Sequence, residues 1–253
     1  MDRNTETVVR LIETTAADRK DLLHQARIAF LDYLAAMTAA RREGAVEHLR
    51  QMMDRGRAAD RALLYGFASH YLDFDDAQAN LAGHFSTVLY SALLAAARPG
   101  DSVRDFLAAY VAGAELEGLL GMRLNLVHRQ QGWHSTGTIG ALGAAAAIAR
   151  LRKLTGEKAA QVLSLAGTQS SGMAFEAGSD GKPLHAGFAA SHAVTAWKLV
   201  EGGLTAKTNL FDDETGWLAV FSSGRASFDA EALERDWLSP GQILRPGLWM
   251  KRH

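Results

Sequence analysis

Hydrophobic positions recur at helical spacing through roughly the first 200 residues. Leu23, Ala26, Phe30, Leu34 and Met37 fall at three- and four-residue steps, the signature of one apolar helix face. Thr15 followed by Asp18 resembles a capping box in front of that helix. Gly44 and Gly56 bracket a short helix over about 46–53. The next spans about 62–76, with Phe67, Tyr71 and Phe74 on its apolar face. Pro99-Gly100-Asp101 is a turn, and Ser102 with Asp105 caps a helix reaching about residue 120. Another helix follows His134, built on Gly140, Gly143 and a run of alanines, and Thr155 with Glu157 starts one more. Pro183 suits the first turn of a helix over 182–201, which Gly202-Gly203 ends. After residue 204 the pattern weakens. Residues 229–236 read as a short helix and 243–250 as a strand or extended connector. The expectation is an all-α fold.

Composition narrows the chemistry. The 253 residues suffice for one large domain. Alanine is abundant and there are only four prolines, which favours helix. The chain has no cysteine, which excludes disulfides, thiolate zinc sites, iron–sulfur clusters and cysteine nucleophiles. With 27 basic and 28 acidic residues the net charge is −1, so neither nucleic acid nor an anionic membrane is an expected partner. No apolar run approaches the ~20 residues of a membrane span. The polar N-terminus does not resemble a secretory signal, and the expected location is cytoplasmic.

Six of the nine histidines lie between residues 70 and 192, and five of the six fall in or beside three segments. In the first, His70, Asp73, Asp75 and Asp76 precede Gly83-His84. On a continuous helix His70, Asp73 and Asp76 would share a face, and three acids at a helix C-terminus oppose its dipole. The plainer alternative is a solvated helix end with His70 paired to Asp73 or Asp76. An acidic turn can also bind Mg²⁺, but no second carboxylate cluster completes such a site, and no metal is expected. The second segment, Gly132-Trp133-His134-Ser135-Thr136-Gly137, places His134 just before a helix whose first turn could cradle a carboxylate. Simple capping by Ser135 or Thr136 explains the same spacing. In the third, Lys182, His185 and His192 share a helical face, a local positive site or an exposed lysine beside ordinary histidines. There is no G-x-S-x-G elbow, Walker motif or Rossmann fingerprint. Together the segments offer a lysine, several histidines and an acid without a nucleophile, a set suited to proton transfer on an anion.

The same segments, Leu72 to Asp76 with Gly83-His84, Gly132 to Gly137, and Gly181 to Gly187, resemble in order the signature stretches of the MmgE/PrpD family. Arg245 to Lys251 resembles that family's stretch before a lysine. The resemblance spans about 60–251. The family includes 2-methylcitrate dehydratase, cis-aconitate decarboxylase and iminodisuccinate epimerase. It implies a large helical domain at 1–240, with 241–253 as the start of a truncated lid domain or a connector, the α+β lid being largely absent. It implies a homodimer, no cofactor, and a small polycarboxylate substrate bound between the domains. Carried over by motif, Asp73, His84, His134 and Lys182 line the pocket, with Lys251 as a further site residue. Ala77 departs from the threonine common at that position, and the spacing from Asp73 to His84 is one residue longer than usual.

The function expected is lyase or isomerase chemistry of the 2-methylcitrate dehydratase kind, a carbon–oxygen lyase, with decarboxylation and epimerisation as its neighbours. His134, His84, Asp73 and Lys182 are the expected catalytic residues, and Lys182, His185, Lys251 and Thr136 the expected substrate contacts. The alternative is a catalytically incomplete domain that binds a carboxylate or pairs with a separate lid chain. That alternative predicts an exposed apolar patch around Trp217, Leu218, Phe221 and Trp249.

Overall fold

Alanine-rich, proline-poor sequence puts most of the chain into helices. The computed structural model describes residues 1–15, 18–78 and 80–238, excluding the side chains of Asn125 and Leu126. In order the helices are α1 (Arg3–Thr14), α2 (Lys20–Ala40), α3 (Gly44–Met52), α4 (Ala58–His70), α5 (Ser86–Ala96), α6 (Val103–Gln130), α7 (Ser135–Leu151), α8 (Gly156–Gly167), α9 (Gly181–Glu201), α10 (Trp217–Ser222) and α11 (Ala230–Asp236). A 3-10 turn at Ala174–Glu176 precedes α9. Among the described residues strand pairing is limited to two isolated antiparallel bridges, Gln78 with Gly83 and Trp133 with Met173. No described helix is long and apolar enough to cross a membrane.

Helix α7 is the axis of the fold. Every residue of it except Arg150 is buried, and it packs against α5, α6, α8 and α9. Glycine and alanine make this crowding possible, because small side chains let backbones approach. The tightest crossing that bears on the site joins α4 and α9 at Gly66 and Gly187. A Cβ on Gly66 would lie 2.7 Å from the Gly187 Cα, and one on Gly187 would lie 2.5 Å from the Leu63 carbonyl oxygen. Any larger residue must push the helices apart.

Several sequence expectations need correction. Thr15 does not cap α2. It follows the last turn of α1, where its hydroxyl donates to the Leu11 carbonyl at 2.9 Å, and α2 begins after Arg19 with no side-chain cap. Ser102 does cap α6, accepting from the Asp105 N–H, but that helix runs to Gln130 rather than stopping near 120. α4 ends at His70, six residues short of the expected end. Trp217, Leu218 and Phe221 are buried in the main core, so they form no exposed patch. The expected strand at 243–250, the lid start at 241–253, Trp249 and Lys251 lie outside the described residues.

Candidate active site

Acids at a helix C-terminus oppose the helix dipole, and the chain avoids that cost by leaving the helix before them. Tyr71 keeps helical geometry just past the end of α4, and Asp73 turns left-handed at φ 58°, a conformation Asp tolerates better than most residues. The loop then doubles back, so His70, Asp73, Asp76 do not share a helix face. Asp75 turns inward and is buried. The His70 Nδ1–H donates to its carboxylate at 2.9 Å, and His84 Nδ1 lies 3.3 Å from the same group. The His70 and His84 ring centres are 4.4 Å apart. Asp76 holds the next turn, accepting from both the N–H and the hydroxyl of Ser86 at the start of α5. The Ser86 hydroxyl also meets the Tyr110 hydroxyl at 2.9 Å.

His134 occupies the N-cap position of α7, but neither it nor Ser135 nor Thr136 supplies a side-chain cap. Its backbone is gripped on both sides. The His134 N–H donates to the Gly172 carbonyl, and the Gly137 and Thr138 N–H groups donate to its own carbonyl. Thr136 is fully buried, and its hydroxyl oxygen accepts from the His84 N–H at 3.1 Å. Thr136 therefore joins the loop carrying His84 to the helix carrying His134. Trp133 is tied to Met173 by the second bridge.

Lys182, in the first turn of α9, forms an ion pair and hydrogen bond with Asp73. His84 Nε2 lies 3.6 Å from the same Asp73 oxygen. His185, one turn along α9, is not in the cleft wall. It sits behind His134, with the two Nδ1 atoms 3.0 Å apart. His192 is further along α9, where its Nδ1–H donates to the Gln169 carbonyl.

The histidines differ in charge preference, and the cause is local. Burial lowers His134 to about 2, and the neighbouring basic groups His70, His185, His84 and Lys182 push the same way. Burial also lowers His70 and outweighs the nearby Asp75 carboxylate. At His84 burial again opposes protonation, but the Asp75 carboxylate prevails and the pKa is raised. Burial favours a neutral Asp75, yet the adjoining His70 and His84 hold it below its ordinary value. The cluster thus pairs an anionic Asp75 with a cation-leaning His84 and sets a neutral His134 beside them.

These groups face a cleft of about 660 Å³ lined by Asp73, His84, His134, Ser135, Lys182 and Arg129, among others. Its volume is in the range of small-molecule sites. Sequence pattern marks Asp75 only as one acid in a run and His70 only as a helix-end residue beside acids, and it does not mark Arg129. Arg129 is exposed on the last turn of α6 and carries no ion pair among the described residues. Its position five residues before His134 was the available signal. Side chains of His70, Asp73, Asp75 and His84 each bring a possible ligand atom within 4.8 Å of the others. Lys182 already supplies the cation at Asp73, and His70 engages both oxygens of Asp75.

The family described as the MmgE/PrpD N-terminal domain matches residues 54–229. Cis-aconitate decarboxylase of Homo sapiens is 31% identical over 168 residues, 64% of this chain and 35% of that protein. The same enzyme of Mus musculus is 29% identical over 168 residues, 64% of this chain and 34% of that protein. The chain spans about a third of the length of these curated relatives. The matched stretch contains every described member of the cleft cluster.

Proposed function

The chain belongs to the MmgE/PrpD family, and on that premise we propose that its cleft is a lyase site for a small polycarboxylic acid, working by side-chain proton transfer beside a carboxylate. The observation that carries the reading is the Lys182–Asp73–His84 cluster facing a neutral His134 across one cleft. Lys182 and Arg129 offer two cations to two carboxylates, and the first turn of α7 adds its positive end at Ser135. Asp73 holds the Lys182 ammonium in place. Asp75, anchored by His70, orients His84.

The roles follow from charge. His134, kept neutral, is the base that removes a proton next to a carboxylate and later returns one. His84, cation-leaning, meets the negative charge that builds on the substrate carboxylate. A positioned general base contributes roughly 10²–10⁴ in rate, and preorganised charge contributes a comparable factor. Both relatives are named for decarboxylating cis-aconitate, which favours, over loss of hydroxide, a departure of CO₂ that leaves its electron pair on carbon as an allylic carbanion, to which His134 delivers a proton beside a carboxylate. Dehydration of a 2-methylcitrate-like acid uses the same groups, with His84 protonating the leaving hydroxyl. Calorimetric titration with cis-aconitate, citrate and 2-methylcitrate tests the reading. A folded chain that binds none of them at millimolar concentration contradicts it.

A second reading is ligand binding with turnover only after further polypeptide covers the cleft. It is favoured by exposed apolar side chains on segments that border the opening, Phe74 at 63%, Met173 at 56% and Phe175 at 77% exposure. Under this reading the chain binds polycarboxylate but exchanges no carbon-bound proton alone.

A further inference from the structure

His134 carries a chemical problem. Burial and the surrounding His70, His84 and Lys182 disfavour its cationic form, so it cannot hold a substrate proton as imidazolium for long. A neutral imidazole can still take a proton at one nitrogen if it releases another from the opposite nitrogen. That requires an acceptor at the second nitrogen, and the fold supplies one. The Nδ1 atoms of His134 and His185 are 3.0 Å apart. Neither can donate to the other unless one ring carries the proton there and the other does not.

The seat of His185 is built for this contact. Gly172 has φ +119°, and a Cβ there would lie 3.0 Å from the His185 ring. A Cβ on Gly137 would lie 3.1 Å from the His185 Cβ. The Gly172 carbonyl accepts the His134 N–H. The loop before α9 and the first turn of α7 thus both yield space to one imidazole. Glu176, on the 3-10 turn, is the acid that faces His185, while His70, His84 and Lys182 face His134. His185 is half-buried and is the less enclosed of the two rings.

We infer that His185 is a positioning residue that forms a two-imidazole proton relay with His134. This rests on the proposed function of the cleft. In the base state His134 carries its proton on Nδ1, donates it to His185 Nδ1, and presents a bare Nε2 to the substrate. When Nε2 takes a proton from the substrate C–H, the Nδ1 proton passes to His185 Nδ1, and His185 Nε2 gives its proton to water. His134 then holds Nε2–H and accepts at Nδ1, which is the acid state. Returning the Nε2 proton to carbon, with a proton taken from water at His185 Nε2, restores the start. Protons balance over the cycle, and neither ring keeps a net charge.

The test uses the full chain, its His185→Asn variant and its His185→Phe variant. Asn keeps a hydrogen-bonding group near the Nδ1 position but cannot pass a proton through the ring. Phe removes the contact. Long-range ¹H–¹⁵N spectra of the histidines without ligand report the tautomers directly. One shared proton, with one Nδ1 protonated and the other bare, is expected near neutral pH. Two bare or two protonated Nδ1 atoms overturn the inference, whatever the cleft binds. Exchange of cis-aconitate protons in D₂O supplies the second readout. His185→Asn should bind the acid within about 2-fold of the parent yet exchange on the order of 10²-fold more slowly, and added imidazole should restore much of the rate. Exchange at the parental rate in His185→Asn overturns the relay. Equal loss in both variants without imidazole rescue overturns it too, because a packing role alone would produce that result. If the parent chain itself shows no exchange, the proposed function fails, and the tautomer spectra still decide the pair.

Discussion

Lys182 and Asp73, 109 residues apart in sequence, meet as an ion pair at the edge of the cleft. The contact joins the first turn of α9 to the loop that follows α4, so the site depends on how those two elements are held together.

Replacing Lys182 with Ala removes a charged hydrogen bond and leaves the Asp73 carboxylate unneutralised beside the cleft. A charge-assisted bond of this kind contributes about 1.5–3 kcal/mol. Affinity for a tricarboxylate should fall roughly 10- to 100-fold, with the circular dichroism spectrum unchanged. Titration calorimetry checks this, and equal affinity would remove Lys182 from substrate binding.

The crossing of α4 and α9 should be sensitive to a single methyl group. Gly187→Ala places a Cβ where the Leu63 carbonyl lies 2.5 Å away. Overpacking of this kind costs about 1–3 kcal/mol. The same displacement moves Lys182 relative to Asp73. The variant should lose both melting temperature and tricarboxylate affinity, whereas Ala at exposed Gly44, which has nothing within 4 Å, should lose neither.

Arg129 is exposed, so its contribution to binding should be small and screened by salt. Arg129→Ala should weaken a tricarboxylate by about 2- to 5-fold at low ionic strength and leave a monocarboxylate unaffected. Paired titrations at low and high salt measure it. Equal weakening of both ligands would mean that Arg129 does not select for a second carboxylate.

Much of this was legible beforehand. Helical periodicity marked most of the long helices because their apolar faces are continuous. It missed α5, whose ten buried residues run round the whole helix and leave no polar face to define a period. The His134 and Lys182 segments were readable because each sits at a helix start. The loop from Tyr71 to Phe85 was not. Its acids were read on a helix face, but the left-handed turn at Asp73 sends Asp75 inward between two histidines. That pairing depends on a reversal of the chain, which spacing does not encode. The His134–His185 contact likewise depends on how α7 and α9 cross.

A buried carboxyl outside the cleft lining should set a slope in stability with pH. Burial raises Glu115 to about 8, although the Leu238 N–H donates to its carboxylate. The folded state therefore keeps a proton that the unfolded chain loses near pH 4.5. Its contribution is full below about pH 4.5 and is lost as pH rises towards 8. The slope is at most about 1.4 kcal/mol per pH unit. His134, lowered to about 2, acts in the opposite sense, its contribution being present above about pH 6.5 and lost as pH falls. Glu117, which burial also raises well above its ordinary value, slopes the same way, so denaturant unfolding of Glu115→Gln should show a shallower decline between pH 6.5 and 8 than the parent. Parallel pH profiles would mean that Glu115 ionises normally in the fold.

Proton NMR of the folded chain in D₂O with cis-aconitate, citrate and 2-methylcitrate asks whether neutral His134 moves a proton beside a substrate carboxylate. Exchange of a C–H adjacent to a carboxylate is expected in at least one of these acids, and His134→Gln should bind that acid but slow the exchange by roughly 10²-fold or more. A chain that binds the acid and leaves every C–H unexchanged would contradict the claim, as would a His134→Gln variant that exchanges at the parental rate.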